Sequence, residues 1–116
     1  MKKIEDIRFA RTVWADIELA KLCPGNNINK LKQVVAGPDT AENLTNTMKV
    51  IVILSESYER KKHFEDPSYE MNPVTIEELQ FYTEEEVMAL SSYAFDDFDK
   101  DGKPTIEAVP KKENAE

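Results

Sequence analysis

The feature that most constrains this chain is the run Met48-Lys49-Val50-Ile51-Val52-Ile53-Leu54, which lies inside a longer stretch, residues 41–64, with apolar positions at helical spacing. Leu44, Thr47 or Met48, Ile51, Leu54 or Ser55, and Tyr58 fall on one face. Val50, Val52 and Ile53 carry the apolar surface beyond that single stripe. β-Branched side chains lose χ1 freedom in a helix and are mediocre helix formers in isolation. The segment is therefore helical only if its neighbours bury it, and this predicts a central core helix with the rest of the chain packed around it. Asp39 or Thr40 supplies an N-cap. At the other end, Glu59-Arg60-Lys61-Lys62-His63 is polar, and its positive charges suit a helix C-terminus.

The flanking segments read as shorter pieces of the same kind. Residues 4–9 alternate imperfectly between apolar and charged, which predicts a short edge strand or a frayed helix start. Residues 10–22 predict a helix with Val13, Trp14, Ile17 and Ala20 or Lys21 on its apolar side. Cys23-Pro24-Gly25-Asn26-Asn27 ends it, because proline cannot continue a helix and Gly25 or Asn26 can turn left-handed. Asn27 or Asn29 caps a short helix through Val35, with Ile28, Leu31, Val34 and Val35 as its apolar face, and Gly37-Pro38 breaks it. Residues 65–73 predict a loop. Thr75-Ile76-Glu77-Glu78 and Thr83-Glu84-Glu85-Glu86 both fit the capping box, in which Thr caps the helix and Glu returns the hydrogen bond. The second opens a helix that aligns Val87, Leu90, Ala94 and Phe98. The expected fold is all-α: a compact bundle of four to five helices over residues 1–100, followed by a disordered acidic tail, residues 101–116.

A chain of 116 residues supports one domain with a modest core. Its net charge of −8 repels phosphate and argues against nucleic-acid binding. Cys23 is the sole cysteine, so no intramolecular disulfide forms and a secreted disulfide scaffold is not expected. The longest purely apolar stretch, Val50 to Leu54, falls far short of the roughly 20 residues that span a bilayer. No apolar run follows Lys2 and Lys3, so no leader is expected, and the expected location is the cytoplasm.

Few residues here are equipped for chemistry. Asp97, Asp99, Asp101 and Gly102 match the first half of a calcium loop. Position twelve of that loop is Ala108 instead of Glu, and Pro104 and Pro110 oppose the rest, so an acidic helix end running into a turn explains them better. His63 is the only histidine and reads as a helix-terminal cation, Cys23 as a buried small hydrophobe, and Arg60-Lys61-Lys62 as a solvated face. With three glycines in all, there is no phosphate loop. The expectation is a non-enzymatic interaction protein with no catalytic, cofactor-binding or metal-binding residues. Trp14, Ile17, Met48, Ile51, Leu54, Tyr58, Phe81 and Tyr82 are its candidate partner-contact residues; for these, core and interface roles are not separable by pattern alone.

In order of elements the chain resembles the tail assembly chaperones of long-tailed bacteriophages and prophages. An apolar N-terminal patch (Ile7, Phe9) precedes a first helix, residues 12–22, carrying Glu18 and Leu19. A Pro-Gly-Asn break, a short helix at 29–35 and a long apolar helix at 44–58 follow. Asn72-Pro73-Val74-Thr75-Ile76-Glu77-Glu78-Leu79 is similar to the family's Pro-Leu-Thr-x-Glu-Glu-Leu phrase, and a second capped helix with Glu84, Glu85 and Leu90 comes after it. The chain departs from the family at Cys23-Pro24, where a plain glycine turn is commoner, and in a longer, more polar segment at 60–69. The resemblance implies binding to the tape measure protein, a long helical chain with apolar stretches, which the chaperone keeps soluble until tail tube subunits polymerise around it. It also implies the tail tube protein and further copies of this chain as partners, with no nucleic acid or membrane involved. Two alternatives come from other classes: a small acidic regulator or inhibitor that binds a basic partner, and a calcium-responsive module built on Asp97, Asp99 and Asp101.

Overall fold

A computed structural model describes residues 1–96. Five helices occur among them and no strand: α1 Val13–Ala20, α2 Leu31–Val35, α3 Ala41–Glu65, α4 Ile76–Leu79 and α5 Glu84–Ala94. Single 3₁₀ turns lie at Ile4–Asp6, Pro24–Asn26 and Ile28–Lys30. Of the two expectations for the N-terminal patch, no edge strand forms; a single 3₁₀ helical turn ends at Asp6, and Ile7 is already extended. Phe98 and the acidic tail, residues 101–116, lie outside the described residues.

α3 is the organising element, as its composition demands. Val50 and Ile51 are fully buried and Leu54 nearly so. Val50 and Leu54 pack with Ala15, Leu19, Cys23, Leu31 and Ala94 on one flank. Ile51 packs with Ile7, Val74, Leu79, Tyr82, Val87 and Leu90 on the other. A β-branched residue costs a helix at most about 0.7 kcal/mol relative to Ala. Burying a Val, Leu or Ile side chain gains about 1.5–3 kcal/mol. Burial therefore decides the conformation of this stretch.

Polar groups on α3 are buried too, and those of Ser55, Ser57 and Glu59 fasten neighbouring chain. The Leu54 carbonyl accepts the Ala10 N–H at 3.2 Å. Ser55 Oγ accepts the buried Val74 N–H at 3.1 Å. Ser57 Oγ lies 2.7 Å from Thr12 Oγ1. Glu59, buried despite its charge, accepts both the Tyr69 hydroxyl at 2.8 Å and the Asn72 N–H at 2.9 Å through Oε1. The helix is capped by Thr40, whose hydroxyl accepts the Asn43 N–H at 3.1 Å. Asn43 then donates to the carbonyls of Ala36 and Pro38, securing the break between α2 and α3.

The rotation of α1 differs from the one its periodicity suggests. Ala15 and Leu19 are buried, while Val13 is 77% and Ile17 54% exposed. The cause is Thr12. Its hydroxyl accepts the Ala15 N–H at 3.1 Å and meets Ser57 on α3, so the capping residue itself faces the core. Positions three and seven further along, Ala15 and Leu19, share that face. After α1, Gly25 (φ 64°) and Asn26 (φ 54°) both turn left-handed, as the Pro-Gly-Asn break requires.

Only one of the two anticipated capping boxes closes. Thr83 and Glu86 exchange both hydrogen bonds, at 3.1 and 2.9 Å. Thr75 accepts the Glu78 N–H at 3.0 Å, but the Glu78 carboxylate turns to the N-terminal segment instead. It accepts the Lys2 N–H at 2.6 Å and pairs with the Lys2 ammonium at 3.4 Å. The Tyr82 hydroxyl donates to the Lys2 carbonyl beside it. Burial alone would raise the Glu78 carboxyl, yet the Lys2 amide and ammonium hold it below its ordinary value of 4.5. Burial and the neighbouring Glu78 carboxylate push the Tyr82 hydroxyl up to about 12.

Two outcomes follow from these contacts. Glu59→Ala strands two donors and is expected to lower unfolding free energy by about 1–3 kcal/mol in urea titration, with Glu59→Gln milder because one acceptor oxygen remains. The Glu78–Lys2 contact, present in full above pH 4.5, is lost as pH falls through the depressed folded value. In Glu78→Gln, stability measured against pH is therefore expected to flatten below 4.5 relative to the parent; an unchanged acid limb would contradict this attribution.

Candidate interaction surface

The last turns of α3 place Ser57, Arg60, Lys61 and Phe64 at helical spacing on one side, where α1 brings Thr12 and Trp14 alongside. The loop that Glu59 fastens adds Met71. Together they form a cup of about 460 Å³. The Thr12–Ser57 hydroxyl pair lies among the lining residues, and Trp14, Phe64 and Met71 supply apolar walls. Phe64 is 88% exposed, an unusual state for a phenyl ring on a folded chain. Arg60 is held 4.6 Å from the Trp14 ring centre and pairs with Glu56 at 2.7 Å, so the cationic rim is stacked as well as charged. His63 Nδ1 lies 2.8 Å from the Tyr69 carbonyl, which can only accept, so Nδ1 carries the proton.

A second apolar feature runs along the outside of α1, where Val13 and Ile17 are one turn apart. A third lies in the α4–α5 turn. Phe81, 78% exposed, stands between the exposed Glu77 and the exposed Glu84 and Glu85. Its neighbours Gln80, Tyr82 and Glu84 border a shallower cleft of about 230 Å³ with Leu44, Met48 and Val87. The Glu84 carboxyl is hydrogen-bonded to Asp39 and repelled by its charge, which raises its pKa.

The structure separates the eight candidate contact residues. Ile51, Leu54 and Tyr82 are buried and hold the core together; of the three, only Tyr82 also borders the cleft beside Phe81. Trp14, Met48 and Tyr58 are half-buried. Ile17 and Phe81 are exposed. Trp14 belongs to the cup; Met48 and Phe81 belong to the opposite end of α3. Periodicity missed Val13, Phe64 and Met71 as surface groups. The available signal for Phe64 was an apolar ring directly after the charged run Arg60-Lys61-Lys62-His63, where no core face continues.

The groups capable of chemistry have structural partners. Cys23 is buried, its thiol donates to the Leu19 carbonyl at 3.3 Å, and burial pushes its pKa up, away from the reactive thiolate. Among the described residues no three His, Cys, Asp or Glu side chains group as a metal site, and no helix is long and apolar enough to cross a membrane. Asp97, Asp99 and Asp101 lie outside the described residues. Comparisons with protein-family models, with curated proteins and with solved structures found no match.

Proposed function

We propose that this protein is a non-enzymatic assembly chaperone that covers apolar helical stretches of a larger partner. The partner class implied by the resemblance is the phage tape measure protein, handled in the bacterial cytoplasm before the tail tube forms. The observation that carries the reading is the outward ridge of α1. Val13 and Ile17 stand in water one turn apart on a helix whose opposite face is fully packed. An i, i+4 ridge of this kind fits the groove of a second helix. Leaving two large aliphatic side chains in water gains nothing for the fold, so a partner that covers them recovers burial free energy of about 1.5–3 kcal/mol for each. The net charge of −8 would keep such a complex soluble while the apolar faces are engaged.

The test is co-expression with the tape measure protein, followed by affinity purification and light scattering of the eluate. The expected result is a soluble complex where the partner alone precipitates. Val13→Glu/Ile17→Glu is expected to lose that solubilisation while its own unfolding midpoint stays close to the parent, since exposed substitutions usually change stability by less than about 0.5 kcal/mol. A partner that stays insoluble beside the parent chain, with this protein eluting alone, would reject the reading.

A further inference from the structure

The hydroxyl pair in the cup leaves one proton over. Ser57 is 1% exposed and is the one buried residue among those that line the cup. Its Oγ lies 2.7 Å from Thr12 Oγ1, and Thr12 Oγ1 also accepts the Ala15 N–H. Two hydroxyls carry two protons, and the bond between them uses one, whichever atom donates. Among the described residues no acceptor takes the other. A buried donor without an acceptor is costly, so a ligand that supplies one gains more here than it would in water. Around the pair the walls are apolar, formed by Trp14, Phe64 and Met71. Arg60, stacked 4.6 Å from the Trp14 ring centre and paired with Glu56, holds one of those walls in place. The volume of about 460 Å³ lies within the range of ligand pockets, about 300–1,000 Å³.

We propose that this cup is a receptor for a tyrosine side chain of the polypeptide that the protein covers. The ring lies against Trp14, Phe64 and Met71, and the phenolic oxygen accepts the leftover proton. The phenol then returns its own proton to the pair. With Thr12 donating to Ser57, Ser57 donates to the phenol and the phenol to Thr12; with the Thr12–Ser57 bond reversed, the cycle runs the other way. Either order uses all three protons, and Thr12 Oγ1, with two lone pairs, still accepts the Ala15 N–H. Other side chains match less well. Phenylalanine and leucine bring no acceptor, tryptophan only donates, and asparagine or glutamine brings an acceptor with little apolar surface. The cup also adjoins the outward ridge of α1, because Trp14 and Ile17 are three residues apart and so neighbours on the helix surface. A segment held along the ridge therefore presents its side chains near the mouth of the cup. The source of the tyrosine rests on the chaperone reading, whereas the preference of the cup for a phenol does not.

The chain holds a single tryptophan, so the one indole N–H signal in the NMR spectrum of the isotope-labelled full chain reports directly on the cup. The titrants are N-acetyltyrosinamide and N-acetylphenylalaninamide, which differ by one hydroxyl. The tyrosine probe is expected to move the Trp14 signal saturably, with a dissociation constant of about 1 mM, as suits a single anchoring side chain. The phenylalanine probe is expected to bind about fivefold more weakly, the effect of one net hydrogen bond. Phe64 is 88% exposed, so Phe64→Ala should retain the parent circular dichroism spectrum and thermal midpoint. It is expected to weaken the tyrosine probe at least about fivefold through loss of a wall. Equal affinity for the two probes, no saturation up to about 20 mM, or unchanged binding by Phe64→Ala would each overturn the proposal. So would p-cresol binding where N-acetyltyrosinamide does not, which would mark a site for small phenols instead of a polypeptide. The titration uses this chain alone, so its failure strikes the cup and leaves the chaperone reading standing. A tyrosine-selective, saturable shift beside a failed co-expression rejects that reading and keeps the cup as a tyrosine receptor.

Discussion

Burial of α3 on both flanks is the interaction on which the rest of this structure depends. Val50, Ile51 and Leu54 lie within five residues of one another but face two different apolar clusters, one built with α1, α2 and the end of α5, the other with the N-terminal segment, α4 and the rest of α5. Neither cluster can form without the helix between them. The same helix also supplies acceptors to chain that has no ladder of its own. Ser55, Ser57 and Glu59 secure the approach to α4, the start of α1 and the 66–72 loop. Buried polar groups tolerate little unpairing, so these contacts set where the loops go as firmly as apolar packing sets where the helices go.

The surfaces available for binding follow from those anchors. Thr12 serves at once as the cap of α1 and the partner of Ser57, and this turns Ala15 and Leu19 inward, leaving Val13 and Ile17 in water. Glu59, by holding the Asn72 amide, carries Met71 to the wall of the cup that Trp14 and Phe64 complete. The charge separation along α3 has a similar origin. Its cationic last turns suit the helix C-terminus, while the acidic first turn of α5 suits a helix N-terminus and docks beside the other half of α3. The Trp14–Phe64–Met71 cup therefore lies at the C-terminal end of α3, and the acidic first turn of α5 lies beside the N-terminal half of the same helix.

How much of this was legible varies with the kind of signal. The all-α class, the central helix, the break at Gly25-Asn26, a cap at Asn27 or Asn29 and the Thr83–Glu86 box could be read from residues close in sequence, because each depends on local backbone chemistry. The face of α1 could not, since Val13, Trp14 and Ile17 make as good a stripe on paper as Ala15 and Leu19. Nor could the fate of Glu78, whose carboxylate fits a local box but finds a stronger partner in Lys2 across the fold. Ile51, Leu54 and Tyr82 could not be told from contact residues, because burial is a property of what packs against them.

The sequence by itself determined where helices start, stop and must be buried, since caps, breakers and β-branched runs act within a few residues. Only the tertiary structure decided which apolar side chains remain in water. That outcome depends on competition between distant groups, the Thr12–Ser57 hydroxyl pair and the Glu59–Asn72 contact above all. A side chain's exposure is settled by the partners that reach it, and those partners lie tens of residues away along the chain.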